Sequence, residues 1–242
     1  MKFPRAVTAI HQVEITSRCN LRCAYCPSRD ITAGKYPNRA AVDMTRTTFE
    51  RALAWVLFYA RQGKQHELNL AGIGESTLHP EFIDFVGLAR AALPTGRLIF
   101  ATNGLIHDEA MVKAIAPYAP EVWVSLHRPE RAGPAIEVYK KYGLLHGISA
   151  HPATQANTWA GQVTWFDSSL PSPCPWLRDG WVMVMADGRI TTCCIDAQGL
   201  GVVGHVDDPL GAISLQPYAL CKNCYQTIDP AFAWDQRRGV PV

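Results

Sequence analysis

Eight cysteines in two groups constrain this chain more than any other feature of its sequence. Cys19, Cys23 and Cys26 fall within eight consecutive residues, and Cys174, Cys193, Cys194, Cys221 and Cys224 share the C-terminal third. Short clustered spacings favour metal ligation over crosslinks spread along a chain, and the arithmetic that fits is three ligands, four ligands and one spare thiol. The 242 residues, 48% apolar and 18% charged, suffice to bury a core around such sites and are too balanced for disorder. Lysine plus arginine (23) against aspartate plus glutamate (21) leaves only +2, little general field for a nucleic-acid backbone or an anionic membrane. The longest apolar run, Leu53 to Ala60, is far short of the about 18 residues that span a bilayer. No apolar signal-peptide stretch opens the chain. The reading is a soluble, cytoplasmic protein.

From residue 11 to about 152, short apolar or alternating runs take turns with segments of helical period. His11 to Thr16, Glu67 to Ala71, Arg97 to Ala101, Glu121 to Leu126 and Leu145 to His151 read as strands. Helices are expected over Thr47 to Arg61, where Thr47 and Glu50 have capping-box spacing, and over Glu81 to Leu93, Asp108 to Ala116 and Ala135 to Tyr142. Strand, helix, strand repeated five times argues for a parallel sheet, open or closed into a barrel. Within the strands one face is greasy and the other mixed. Val122, Val124 and Leu126 oppose Trp123, Ser125 and His127, and Leu68 and Leu70 oppose Asn69. A sheet covered by helices on both faces would be apolar on both, so the repeated polar face favours a curved sheet around a solvated or ligand-filled interior. Past Gly161 proline, serine and glycine become frequent, and Trp181 to Ala186 and Arg189 to Cys194 flank Asp187-Gly188, a hairpin signal. A boundary falls near residue 165.

The segment Cys19-Asn20-Leu21-Arg22-Cys23-Ala24-Tyr25-Cys26 follows directly on the first strand. It therefore sits at the C-terminal mouth of the sheet, where α/β folds hold their chemistry. Soft thiolates suit iron–sulfur clusters and zinc, and three in one loop leave a metal position open. Here the sequence resembles the radical S-adenosylmethionine (radical SAM) enzymes, whose hallmark is CxxxCxxC with an aromatic residue before the last cysteine, here Tyr25. The resemblance implies a [4Fe–4S] cluster held by Cys19, Cys23 and Cys26, whose fourth iron chelates the amino and carboxylate groups of S-adenosylmethionine. Three further features follow in the family's order. Gly72-Ile73-Gly74-Glu75-Ser76 after the second strand resembles the GGEP stretch, in which backbone groups and the acidic residue, here Glu75, receive the methionine ammonium. Thr102-Asn103-Gly104 ends the third strand and Ser125 the fourth, positions that in this family lie near the ribose and the methionine carboxylate. Each feature alone reads equally well as a turn or an ordinary strand residue; four in register do not. Ser76 departs from the proline commoner there.

Cys174, Cys193, Cys221 and Cys224 bring one ligand from a loop, one from the hairpin and two from a closing CxxC. Four thiolates serve a tetrahedral zinc or a fully ligated cluster alike, and spacing does not separate them. Cys174-Pro175-Trp176, Cys193-Cys194-Ile195-Asp196, Gly204-His205-Val206 and Cys221-Lys222-Asn223-Cys224 resemble the C-terminal extensions called SPASM and its shortened twitch form, which implies an auxiliary [4Fe–4S] cluster. The full SPASM pattern supplies cysteines for two such clusters; this chain has enough for one. Adjacent strand residues face opposite ways. With Asp187-Gly188 as a two-residue turn, Cys194 shares an apolar face with Ile190, Met185, Met183 and Trp181, while Cys193 shares the other with Thr191 and Arg189. Cys193 is thus the expected ligand and Cys194 a buried thiol. The expected fold class is α/β: a partial (β/α)6-type radical SAM barrel over residues 1–165, then a small β-hairpin-plus-helix auxiliary-cluster domain over 166–242.

The resemblance further implies reductive cleavage of S-adenosylmethionine to a 5′-deoxyadenosyl radical, which takes a hydrogen atom from a small-molecule substrate. The electron would come from a donor such as flavodoxin or ferredoxin. His127, His151, Asn157 and Trp159 follow inward strand positions or the end of the barrel and are the candidate catalytic wall. In size and cysteine count the extension is closest to that of the radical SAM dehydrogenases of aminoglycoside biosynthesis, where an auxiliary cluster can accept a second electron, so net oxidation is the expected outcome. The alternatives are a redox-neutral isomerisation, or carbon–carbon or thioether bond formation, on an amino acid, peptide or modified nucleoside. A rival of another class is a zinc-stabilised binding module with a fourth ligand such as His11. Arg18, Arg22, Arg29 and Arg39 crowd the first loop, but with no groove-reading motif they read as a solvated face. Nucleic acid is not an expected partner.

Overall fold

The computed structural model describes residues 3–149, 159–163, 172–224, 226–227, 234–235 and 240–241. After a two-residue strand β1 (Arg5–Ala6), strands β2 (Ala9–Val13), β3 (Glu67–Asn69), β4 (Arg97–Thr102), β5 (Glu121–Ser125) and β6 (Leu145–Ser149) alternate with helices. Two helices, α1 (Ser28–Thr32) and α2 (Arg46–Ala60), precede β3, and α3 (Phe82–Ala92), α4 (Glu109–Ile115) and α5 (Pro129–Lys141) fill the later connections. Strands β2 to β6 pair in sequence order, all parallel. Their two faces differ as the alternation requires. Leu68, Leu98, Phe100, Val122 and Val124 are buried beneath the helices, whereas Asn69, Ile99, Ala101 and Ser125 are half-buried and Trp123 is 37% exposed on the other face. No helix among the described residues is long and apolar enough to cross a membrane.

The second half continues the same sheet. Beyond β7 (Ser172–Pro173) and α6 (Pro175–Asp179), strand β8 (Trp181–Val184) lies parallel to β2, and β9 (Arg189–Thr191) and β10 (Val202–His205) follow antiparallel. The eight strands run in the order β10-β9-β8-β2-β3-β4-β5-β6. One apolar core serves both halves, with Phe49 and Trp55 of α2 packed in the same cluster as Val182, Met183 and Ile190. The Trp55 indole N–H also donates to the Val206 carbonyl at 3.1 Å.

Three local expectations are corrected. Helix α2 is capped by Thr45, whose Oγ1 accepts the Thr48 N–H at 3.2 Å, not by Thr47, because the chain enters two residues earlier. Helix α5 starts at Pro129 rather than Ala135 and contains Pro134; burial of Ala132, Ala135 and Tyr139 offsets the one backbone bond the inner proline forfeits. The hairpin turn has three residues, not two: Gly188 takes φ +88°, Met185 N–H donates to the Arg189 carbonyl at 2.8 Å, and Val184 pairs with Ile190. The register therefore slips by one, and the face assignment that separated Cys193 from Cys194 does not hold.

Candidate active site

A cavity of about 290 Å³ opens at the C-terminal ends of β3, β4 and β5, lined by the thiols of Cys19, Cys23 and Cys26. The cysteine loop begins where β2 ends, and its turn is closed by Cys26 N–H to the Cys23 carbonyl at 3.1 Å. Opposite stands the loop after β3. Its glycines are required by close approach and not by turn conformation. A Cβ on Gly74 would lie 2.2 Å from the Thr16 carbonyl oxygen, and one on Gly72 would lie 2.3 Å from Glu14 Cγ. Only bare Cα atoms let this loop reach the backbone that leads into the cysteines.

Glu75 is fully buried at the cavity wall. Its carboxylate accepts Asn103 N–H at 2.7 Å and the Thr77 hydroxyl at 2.7 Å, and burial still pushes its carboxyl above the usual range despite those donors. A cation in the cavity is what this geometry suits, since a buried carboxylate gains most from a positive partner. Asn103 links three parts of the site: beyond its N–H on Glu75, its Nδ2 donates to Asn20 Oδ1 at 2.7 Å and lies 3.9 Å from Cys19 Sγ. Thr102 accepts Gly104 N–H at 3.1 Å, which shapes that turn. Ser125, whose Oγ is 3.2 Å from Ser149 Oγ, also lines the cavity.

The candidate catalytic wall is divided. His127 lines the cavity with its Nδ1 3.1 Å from Tyr25 Oη, and Trp159 closes another side, its indole N–H donating to the Tyr25 carbonyl at 3.0 Å. Trp159 and Ala160 both take left-handed backbone conformations, φ 52° and 55°, which costs energy that the surrounding contacts offset. His151 and Asn157 lie outside the described residues. His11 is not in the cavity; it stacks on Trp181 with ring centroids 4.1 Å apart and pairs with Glu67 at 3.0 Å. Arg39 is not part of a solvated face but is buried against Glu14.

Two residues of the site escaped sequence reasoning. Glu14 has both oxygens engaged, by Ile73 N–H at 3.0 Å, Ala186 N–H at 3.1 Å and the Arg39 guanidinium. A lone acidic residue inside an apolar run just before the cysteines was the available signal. Ser28, on α1 beside Cys26, has a buried hydroxyl and lines the cavity.

The second cysteine group surrounds a narrower cavity of about 20 Å³, lined by Cys174, Cys193, Cys221 and Cys224. Cys193 is buried, whereas Cys194 is half-buried, contrary to expectation, and is not among the lining residues. Its place beyond the end of β9, where strand alternation no longer applies, explains the difference. Burial pushes the thiols up, Cys26 to about 12 and Cys221 to about 11; a hydrogen bond with Cys194, and then burial, raises Cys193 well above its usual value. These are protonated thiols that a cationic centre must deprotonate to bind. Among the described residues no three His, Cys, Asp or Glu side chains gather around a single-ion position; the cysteines ring cavities instead, an arrangement suited to a polynuclear group.

A family model described as the radical SAM superfamily matches residues 13–143. No curated protein matches the chain. Among solved structures the chain is similar to BtrN in complex with AdoMet and 2-DOIA, with a TM-score of 0.67 at 17% identity over 84% of this chain and 80% of that one. It is also similar to anSMEcpe with bound AdoMet, with a TM-score of 0.57 at 15% identity over 83% and 78%. At such identities the likeness is one of fold.

Proposed function

Because the chain belongs to the radical SAM superfamily, we propose that it oxidises a small molecule held on the open face of its sheet, with an auxiliary cluster taking the second electron. Membership brings a [4Fe–4S] cluster and S-adenosylmethionine as cofactors. When bound, they supply a 5′-deoxyadenosyl radical once a donor such as flavodoxin or ferredoxin delivers an electron. Cys19, Cys23 and Cys26 hold the iron, Glu75 receives the methionine ammonium, and Thr102, Asn103 and Ser125 border the remainder of the cofactor. Gly72 and Gly74 keep the ammonium loop against the cysteine loop. His127 and Trp159 shield the reacting carbon from water, as the protein's part in such chemistry is to position and exclude.

The contrast between the two cavities carries the reading. The first has about 290 Å³ beside its thiols, room for an organic ligand; the second has about 20 Å³ among four thiols, no room for a substrate, and a site with all four irons ligated by cysteine serves electron transfer. The electrons then balance. Of the two electrons and two protons an alcohol loses on becoming a ketone, one electron and one proton would leave together as the hydrogen atom, and Cys174, Cys193, Cys221 and Cys224 would hold the group that accepts the other electron, its proton going to solvent. The test is to incubate reduced, anaerobically reconstituted protein with S-adenosylmethionine and candidate alcohols, then weigh the product. Release of 5′-deoxyadenosine with a product lighter by two hydrogens is expected. A product of unchanged mass with S-adenosylmethionine regenerated would replace oxidation by isomerisation.

A further inference from the structure

The second cavity contains a polar atom that the protein leaves without a partner. The Tyr218 ring lines it together with the four cysteines, and its hydroxyl oxygen is shut off from solvent with no hydrogen bond. Buried hydroxyls find partners in nearly every folded protein, so an orphan calls for an explanation. The ring is held in place: a Cβ on Gly201 would stand 2.7 Å from its Cε2 and Cζ, so the bare Gly201 Cα packs against it. The residue's own N–H lies on Cys221 Sγ at 3.5 Å. Asp196, the carboxylate close by, is already engaged by the Thr191 hydroxyl at 2.6 Å, Leu200 N–H at 2.9 Å and Gly201 N–H at 2.7 Å. A phenol is protonated at neutral pH, so the oxygen is a donor.

We propose that the Tyr218 hydroxyl donates a hydrogen bond to a sulfur of the auxiliary cluster and so raises that cluster's reduction potential. The inference rests on the reading of Cys174, Cys193, Cys221 and Cys224 as a cluster site. A donor aimed at sulfur stabilises the reduced, more negative state more than the oxidised one. Tyr218 is thus a positioning residue that makes the site a better acceptor for an electron leaving the substrate.

The experiment is a redox titration of the auxiliary cluster, followed by electron paramagnetic resonance, in protein carrying Cys19→Ala, Cys23→Ala and Cys26→Ala so that a single cluster is read. Tyr218→Phe removes the oxygen alone. At fixed poise it should lower the ratio of reduced to oxidised cluster about tenfold, which is 59 mV for a one-electron couple, with iron and sulfide per chain unchanged. Replacing Tyr218 by 3-fluorotyrosine, a stronger donor of nearly the same shape, should move the potential the opposite way. A purely structural role would not produce this pair of opposite shifts. An unchanged potential in either intact variant overturns the assignment, and if the phenylalanine variant loses its cluster the fluorotyrosine result decides. A parent protein without any cluster would instead overturn the reading of the four thiols.

Discussion

Glu14 shows how one buried side chain organises the site. It joins the end of β2, the loop after β3 and the hairpin turn through Ile73, Ala186 and Arg39, while Arg39 Nε and one terminal nitrogen remain unpartnered. A buried ion pair with unmet donors adds arrangement more than stability. Glu14→Ala, which strands the Arg39 charge, is expected to cost about 3–5 kcal/mol; the double change Glu14→Leu with Arg39→Met should recover most of the loss in thermal unfolding. Glu75 carries the opposite trade. Its carboxyl is raised by burial in the folded chain, so between the ordinary carboxylate range and that raised value the folded state binds the extra proton and stability falls as pH rises. Glu75→Gln should therefore leave the ligand-free protein at least as stable at neutral pH. The same change should weaken S-adenosylmethionine at least about tenfold, the loss of a charge-assisted bond worth about 1.5–3 kcal/mol. Calorimetric titration and melting curves at pH 5 and 7 measure both.

Glycines at two elements separate close approach from mere punctuation. In the loop after β3, Gly74→Ala would drive a methyl to 2.2 Å from the Thr16 carbonyl, and backbone on both sides must move. The expected result is loss of cluster iron and of S-adenosylmethionine binding together, read by iron analysis and calorimetry. In α5, by contrast, an added Cβ at Gly133 meets nothing within 4 Å. Gly133→Ala should stabilise the protein by about 0.5–1 kcal/mol through helix propensity alone, seen as a higher melting temperature with unchanged iron. Sequence periodicity located α5 but not its start, because Gly133 and Pro134 look like breakers until Ala132, Ala135 and Tyr139 are seen buried on the sheet.

For the whole molecule, the auxiliary segment is structurally continuous with the barrel portion. Strand β8 covers the edge of β2, β1 pairs with β11 (Ser214–Leu215), and the core cluster runs through both halves. A chain ended at residue 165 would expose that strand edge and the Trp55 side of α2. It is expected to be insoluble or to lack a cooperative unfolding transition, checked by expression and calorimetry against the full chain. Reconstitution should also favour alkaline solution. Every thiol proposed to bind iron whose value is raised must lose its proton, so iron uptake per chain in a fixed time should be greater at pH 8.5 than at pH 7.

The residue types and their spacing determined the chemistry. CxxxCxxC after an apolar strand, Glu75 after two glycines, and four later cysteines are local patterns, and the alternation of Trp123 and Ser125 with Val122 and Val124 is enough to predict a sheet with one open face. Tertiary structure decided what local patterns cannot carry. It set the three-residue hairpin turn and left Cys194 half-buried rather than buried. It turned Arg39 inward to Glu14 and Gly72 and Gly74 against β2's exit. It also left the Tyr218 hydroxyl without a protein partner. Each of these depends on segments distant in sequence meeting in space, where burial and close packing, rather than local propensity, select the arrangement.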